Sequence, residues 1–214
     1  MAYKVLNNVS VKDVTSSDLL SLKTDLLVIV INKNTKDKVV NQLAKDVSSH
    51  LKESGSSVLV PNAKSFNAKN VLLVKGFQDS DQIHKLISMY QSIAQKGNQL
   101  KAKDISIMPG TVYPKGKCEM WLIEMVAKTI ESNVYIFSET CNKTAKKPSV
   151  KKLNILVSSL TKSDLIKAKN AAKKGYAIGE GVNSAKYLGD LPANHCTPRI
   201  LSLIHISEPT RPRE

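Results

Sequence analysis

Arginine is nearly missing from this 214-residue chain: only three of its 32 basic residues are arginine, and Arg199, Arg211 and Arg213 all fall at the C-terminal end. Sequence-specific readout of nucleic-acid bases leans on arginine for its bidentate fork. The net charge of +14 is therefore a lysine excess spread along the chain, which reads first as a solvated surface. A basic field still attracts phosphates, so a DNA- or nucleotide-binding module stays open as an alternative function. Cysteine is scarce and odd in number, at Cys118, Cys141 and Cys196. That spacing excludes a disulfide scaffold and fits reduced thiols in a cytoplasm. Long apolar runs are missing too. The longest, "LLVIVI" at Leu26 to Ile31, has the length of a buried strand and falls far short of the roughly 20 residues that span a bilayer. A membrane is not an expected partner. The N-terminal "MAYKVLNNVSVKD" has no apolar signal core, so secretion is not expected.

Recognisable catalytic constellations are equally short in supply. His50, His84, His195 and His205 have no partners at metal-ligand spacing, and no His-Glu-x-x-His occurs. The nearest approach to a phosphate loop is "PGTVYPKGKCEMW". There five residues separate Gly110 from Gly116, Cys118 replaces the hydroxyl that would hold magnesium, and Pro114 removes a backbone donor. A plain strand-to-helix loop explains it better. "GEG" at Gly179 to Gly181 follows no strand and is too short for dinucleotide binding. Asp79 and Asp81 stand where a helix begins, which makes capping the simpler role. His195 and Cys196 are sequence neighbours, and neighbours rarely face each other as base and nucleophile. The expectation is that this chain holds no catalytic, cofactor-binding or metal-ligating residue of its own.

What the sequence does carry is alternation of strand and helix signals over residues 1–160. "YKVL" (Tyr3 to Leu6), "LLVIVI", "SSVLVP", "KNVLLVKG", "DISIMP" and "LNILVS" read as strands. Val39, Val40, Leu43, Val47 and Leu51 recur at helical spacing, as do Ile83, Leu86, Ile87, Tyr90 and Ala94, a helix closed by Gly97. Trp121, Leu122, Met125, Val126 and Thr129 mark a third helix. Strands separated by helices predict an α/β domain with a mixed sheet flanked by helices, and the apolar strand runs predict cover on both faces.

A longer helix is predicted next, over 161–190. Thr161 and Asp164 have capping-box spacing, and Pro192 stops the helix. Gly175, Gly179 and Gly181 weaken it, each by about 1 kcal/mol relative to alanine. Retained glycines imply close approach of another element, so this helix reads as an interdomain connector. Ile178, Val182 and Leu188 are expected to be left exposed on it.

"GVNSAKYLGDLPANHCTPRIL", Gly181 to Leu201, resembles the opening of the catalytic domain in leucine (cytosol) aminopeptidases. That opening has the form Asn-x-Ala-Arg-Asp-Leu-x-Asn-x-Pro-x-Asn-x-x-Thr-Pro. Asn183, Ala185, Leu188, Pro192, Asn194, Thr197 and Pro198 match, whereas Lys186, Tyr187 and Asp190 depart from the usual Arg, Asp and Asn. The resemblance implies a macro-domain-like N-terminal domain over 1–160, the connector helix over 161–190, and the start of a truncated peptidase domain over 191–200. It also implies a cytoplasmic metallo-aminopeptidase that releases N-terminal residues from peptide substrates, leucine preferred. In the family, two divalent ions, Mn or Zn, lie in downstream motifs absent from this sequence. A homo-oligomer, hexameric by resemblance, is implied as well. "LSLIHISEPTR" looks like translated sequencing adapter, so residues 201–214 are expected to be a non-native tail and the chain an inactive front end.

Overall fold

A computed structural model describes residues 5–31, 55–63, 65–77, 83–110, 114, 116–138, 147–158, 160–199 and 202. Six strands form one sheet: β1 (Asn8–Asp13), β2 (Thr24–Ile31), β3 (Ser57–Pro61), β4 (Ala68–Lys75), β5 (Asp104–Met108) and β6 (Lys152–Val157). Among the described residues four helices accompany them: α1 (Ser16–Ser21), α2 (Ile83–Gln99), α3 (Glu119–Val134) and α4 (Lys162–Asp190). The spatial order is β1-β6-β5-β2-β4-β3. All neighbours run parallel except the β3–β4 pair, which is antiparallel. The mixed α/β sheet expected from the alternating signals is what forms.

The period-two rule explains how both sheet faces are buried. Along β2, Leu26, Val28 and Val30 point into the larger core, with the apolar faces of α2, α3 and α4. Leu27 and Ile29 point the other way, into a smaller cluster with Leu19 of α1, Ala63 and Phe66. Residues 26 to 29 are fully buried, as a strand covered on both sides requires.

One polar line crosses this sheet. Ser10 Oγ donates to Asn154 Oδ1 (2.8 Å), Asn154 Nδ2 donates to Ser106 Oγ (3.0 Å), and Ser106 Oγ donates to Thr24 Oγ1 (3.1 Å). Thr24 Oγ1 ends the line on Asp104 Oδ2 (2.7 Å). Buried hydroxyls and amides are tolerable in a sheet only when paired in this way.

The first strand begins later than the sequence pattern predicted. Val5 and Leu6 are buried but precede β1, because their N–H groups bond a side chain of α3 and not a neighbouring strand. Tyr3 and Lys4 lie outside the described residues, as do the stripe Val39 to Leu51, Asp79 and Asp81, His50 and His205, and the tail 201–214 apart from Ser202. Helix α1 was not anticipated, although its start has a capping box: Asp18 N donates to Thr15 Oγ1 and Thr15 N to Asp18 Oδ2. Gly97 does not end α2, which runs on to Gln99. Gly97 is buried, and a Cβ there would lie 2.6 Å from Ile105 Cδ1.

Helix α4 starts where Thr161 accepts from Asp164 N (3.1 Å) and ends with Leu191 N on Tyr187 O, just before Pro192. Its 29 residues extend roughly 43 Å at the α-helical rise. No helix among the described residues is long and apolar enough to cross a membrane.

Candidate functional site: the seam between α3 and α4

The most specific chemistry in the described residues lies where α4 is laid along α3. Two glycines set the distance. A Cβ at Gly175 would meet the Glu124 carbonyl oxygen at 2.1 Å, and one at Gly179 would meet Glu131 Cβ at 2.7 Å. Approach this close, to backbone at Gly175 and to the base of the Glu131 side chain at Gly179, is open only to glycine. Gly181 and Gly189 have nothing within 4 Å of an added Cβ. Of Gly175, Gly179 and Gly181, then, the first two serve the contact and Gly181 does not.

One helical turn beyond Gly179, Asn183 is fully buried against Glu131, which is fully buried as well. Glu131 Oε1 accepts from Val5 N (2.8 Å) and Asn183 Nδ2 (3.0 Å), and Oε2 accepts from Leu6 N (3.0 Å). Asn183 Nδ2 also donates to the Glu131 carbonyl (3.0 Å). Burial holds the Glu131 carboxyl above the ordinary glutamate range, against the pull of its three donors, and nearby Glu180 adds to the rise. Tyr176 Oη donates to Leu6 O (2.7 Å) from the same helix face.

Further along, the seam closes with a cation and aromatic rings. Lys186 Nζ bonds the Ser132 carbonyl in the last turn of α3, where a cation suits the negative helix end. It also lies 5.9 Å from the Tyr135 ring centroid. Tyr135 Oη donates to Asp190 Oδ2 (2.9 Å), and the Phe137 and Tyr187 rings stand 6.2 Å apart. Lys186, Tyr187 and Asp190 are the three departures from the aminopeptidase pattern, and segment 132–137 engages all three.

The residues weighed for catalysis do not gather at this seam. Cys118 is exposed and precedes α3 without a side-chain cap bond. Gly116 takes φ +77° in an open turn, with Lys117 N on Pro114 O (2.9 Å). Gly179 to Gly181 are helical, so they form no loop. His195 and Cys196 both donate backbone N–H to Pro192 O (2.8 and 2.9 Å), in the turn after α4, and His84 is exposed on α2.

No three His, Cys, Asp or Glu side chains among the described residues come together as a metal-holding group. Glu131, the one fully buried carboxylate among the described residues, has both oxygens bonded by N–H donors. Three N–H donors satisfy it as an anion, and no group of three metal-ligating side chains forms around it, so the seam does not fit a two-ion centre.

Glu131 escaped the sequence reading. The signal was its position: Ile123, Ala127, Glu131 and Val134 recur at i+4 and i+3 spacing and are all fully buried. A charged residue in register with an apolar stripe marks a buried, bonded carboxylate.

Comparison with known proteins decides the family. The sequence is 30% identical over 189 residues to the probable cytosol aminopeptidase of Vesicomyosocius okutanii subsp. Calyptogena okutanii, across 86% of this chain and 37% of that protein. A tomato leucine aminopeptidase mutant matches the fold with a TM-score of 0.70 at 19% identity, across 96% of this chain and 42% of that one. The chain belongs to the leucine (cytosol) aminopeptidase family, matching its N-terminal domain.

A bottromycin maturation enzyme, BotP, in complex with Mn, matches with a TM-score of 0.59 at 16% identity, across 86% of this chain and 36% of that one. No family model matches the sequence. The chain thus spans 37% of the length of the aminopeptidase relative named above. Within the aminopeptidase pattern, the first matching position, Asn183, is the residue that ties α4 to Glu131.

Proposed function

We propose that this chain is the N-terminal part of a cytoplasmic metal-dependent aminopeptidase that releases N-terminal residues, leucine preferred, from peptides. The observation that carries the reading is the 30% identity to a cytosol aminopeptidase across 86% of the chain. The fold match to the tomato enzyme supports it. Residues 1–160 form the N-terminal domain and serve assembly of a homo-oligomer, a hexamer by resemblance. Residues 161–190 are the connector, and 191–200 open the catalytic domain. Two divalent ions, manganese or zinc, would supply Lewis-acid activation of peptide and water in such an enzyme. The Mn held by the fold neighbour BotP is in keeping with that. Because the described residues do not fit those ions, they would be held elsewhere in the protein. The role of this chain's own residues is to fix the orientation of α4, and with it the start of residues 191–200.

The test has a genetic and a biochemical arm. Reading the genomic frame past the codon for Leu201 should reveal a domain rich in acidic metal ligands, whereas a stop codon there counts against the reading. The 214-residue chain should show no manganese-stimulated release from leucyl-anilide, and the full-length product should show it. Turnover by the short chain overturns the assignment of chemistry to the remainder of the protein.

A further inference from the structure

Three separate pieces of chain meet at a single carboxylate. The last turn of α3 supplies Glu131, the segment before β1 supplies the N–H groups of Val5 and Leu6, and α4 supplies the Asn183 amide. Asn183 uses its NH₂ group wholly on Glu131, once on the carboxylate and once on the carbonyl. Its Oδ1 is buried with no donor among the described residues. Every hydrogen bond Asn183 makes there passes through Glu131.

We propose that Glu131 is a positioning residue that couples the docking of Val5–Leu6 to the seating of α4 on α3, so that loosening either one loosens the other. The physical reason is the cost of an under-solvated buried carboxylate. A fully paired carboxylate is tolerable in an apolar wall, but one that loses a donor must find water or drive the contact apart. The three donors therefore act together and not additively. Coupling of this kind is reciprocal by thermodynamic necessity. A second tie, the Tyr176 hydroxyl on Leu6 O, strengthens the same junction without touching the carboxylate. The coupling does not rest on the aminopeptidase reading.

Amide hydrogen exchange on the 214-residue chain tests it. Asn183→Ala removes no atom that bonds Val5 or Leu6. It should nevertheless speed exchange at both of those amides by about tenfold, the scale of one lost buried hydrogen bond. In the reverse direction, Leu6→Pro strips Oε2 of its donor and should speed exchange in α4 around Asn183. In a Glu131→Leu background, which has no charge to satisfy, adding Asn183→Ala should leave Val5 and Leu6 unaffected. Faster exchange confined to α4 in Asn183→Ala, with Val5 and Leu6 unchanged, overturns the proposal. Should Asn183→Ala fail to fold, Asn183→Ser serves instead. A response at Val5 and Leu6 above the chain average supports the coupling, and a uniform loss of protection overturns it.

Discussion

Gly175 of α4 lies against Glu124 of α3 so closely that a Cβ at Gly175 would stand 2.1 Å from the Glu124 carbonyl oxygen. No rotamer change relieves such a contact, because both partners are backbone. The two helices would have to part, and the core residues Ala168 and Ala172, which α4 buries on the same face, would part with them.

Gly175→Ala should therefore destabilise the fold by about 3 kcal/mol, at the upper end of overpacking costs. Gly181→Ala should do the opposite. Nothing lies within 4 Å of the added Cβ, so the better helix former should stabilise by up to about 1 kcal/mol. Thermal melts of the two variants read the contrast, and similar losses in both would refute the close-approach account.

Glu131 gives a pH dependence with a defined sign. Its carboxyl in the folded chain titrates above the ordinary range because burial disfavours the charge. The stability it contributes is thus fully present below the ordinary glutamate value and is lost as pH rises through the raised folded value. The melting temperature of wild type minus that of Glu131→Gln should shrink as pH is raised from the acid side towards neutrality. A difference that grows with pH would show that the three donors outweigh burial.

The cap of α4 is a third target. Thr161→Ala removes the acceptor for Asp164 N and should cost about 1 kcal/mol. The loss should appear as faster amide exchange in the first turn of α4. Unchanged protection there would mean that packing alone fixes the helix start.

Lys186→Met keeps the aliphatic stem but removes the charge from the Ser132 carbonyl and the Tyr135 ring. The expected loss is about 1 kcal/mol, because the site is only half-buried. Tyr135→Phe, which deletes the donor to Asp190, should produce a partly overlapping loss, so the double variant should fall short of the sum. Full additivity in melts would separate the two contacts.

Much of this architecture can be read in the chain because it is written in local periodicity. The run at Leu26 to Ile31 forms the strand buried on both faces, and the Thr161 to Asp164 cap starts α4 where the spacing placed it. The aminopeptidase resemblance was legible from Gly181 onwards. The β1 strand was not, since Val9 and Val11 count as strand residues only through pairing with Leu153 and Ile155, more than 140 positions away. Glu131 was hidden for a related reason. A glutamate on a helix looks like surface until the second helix that covers it has been placed, and Asn183 is 52 residues distant. Lys186, Tyr187 and Asp190 looked like lapses from a pattern until Tyr135, Phe137 and Ser132 showed what they touch.

The chain of side-chain bonds from Ser10 through Asn154, Ser106 and Thr24 to Asp104 has a consequence for strand assembly. Parallel neighbours offer evenly spaced, slanted backbone bonds, a pairing slightly weaker per residue than the antiparallel one. A slip of one residue by β6 would turn Asn154 into the hydrocarbon side, leave Ser10 without its acceptor and cost Ser106 the Asn154 donor. The polar row thus works as a vernier across the sheet, admitting a single alignment of strands that hydrophobicity alone would leave free to shift.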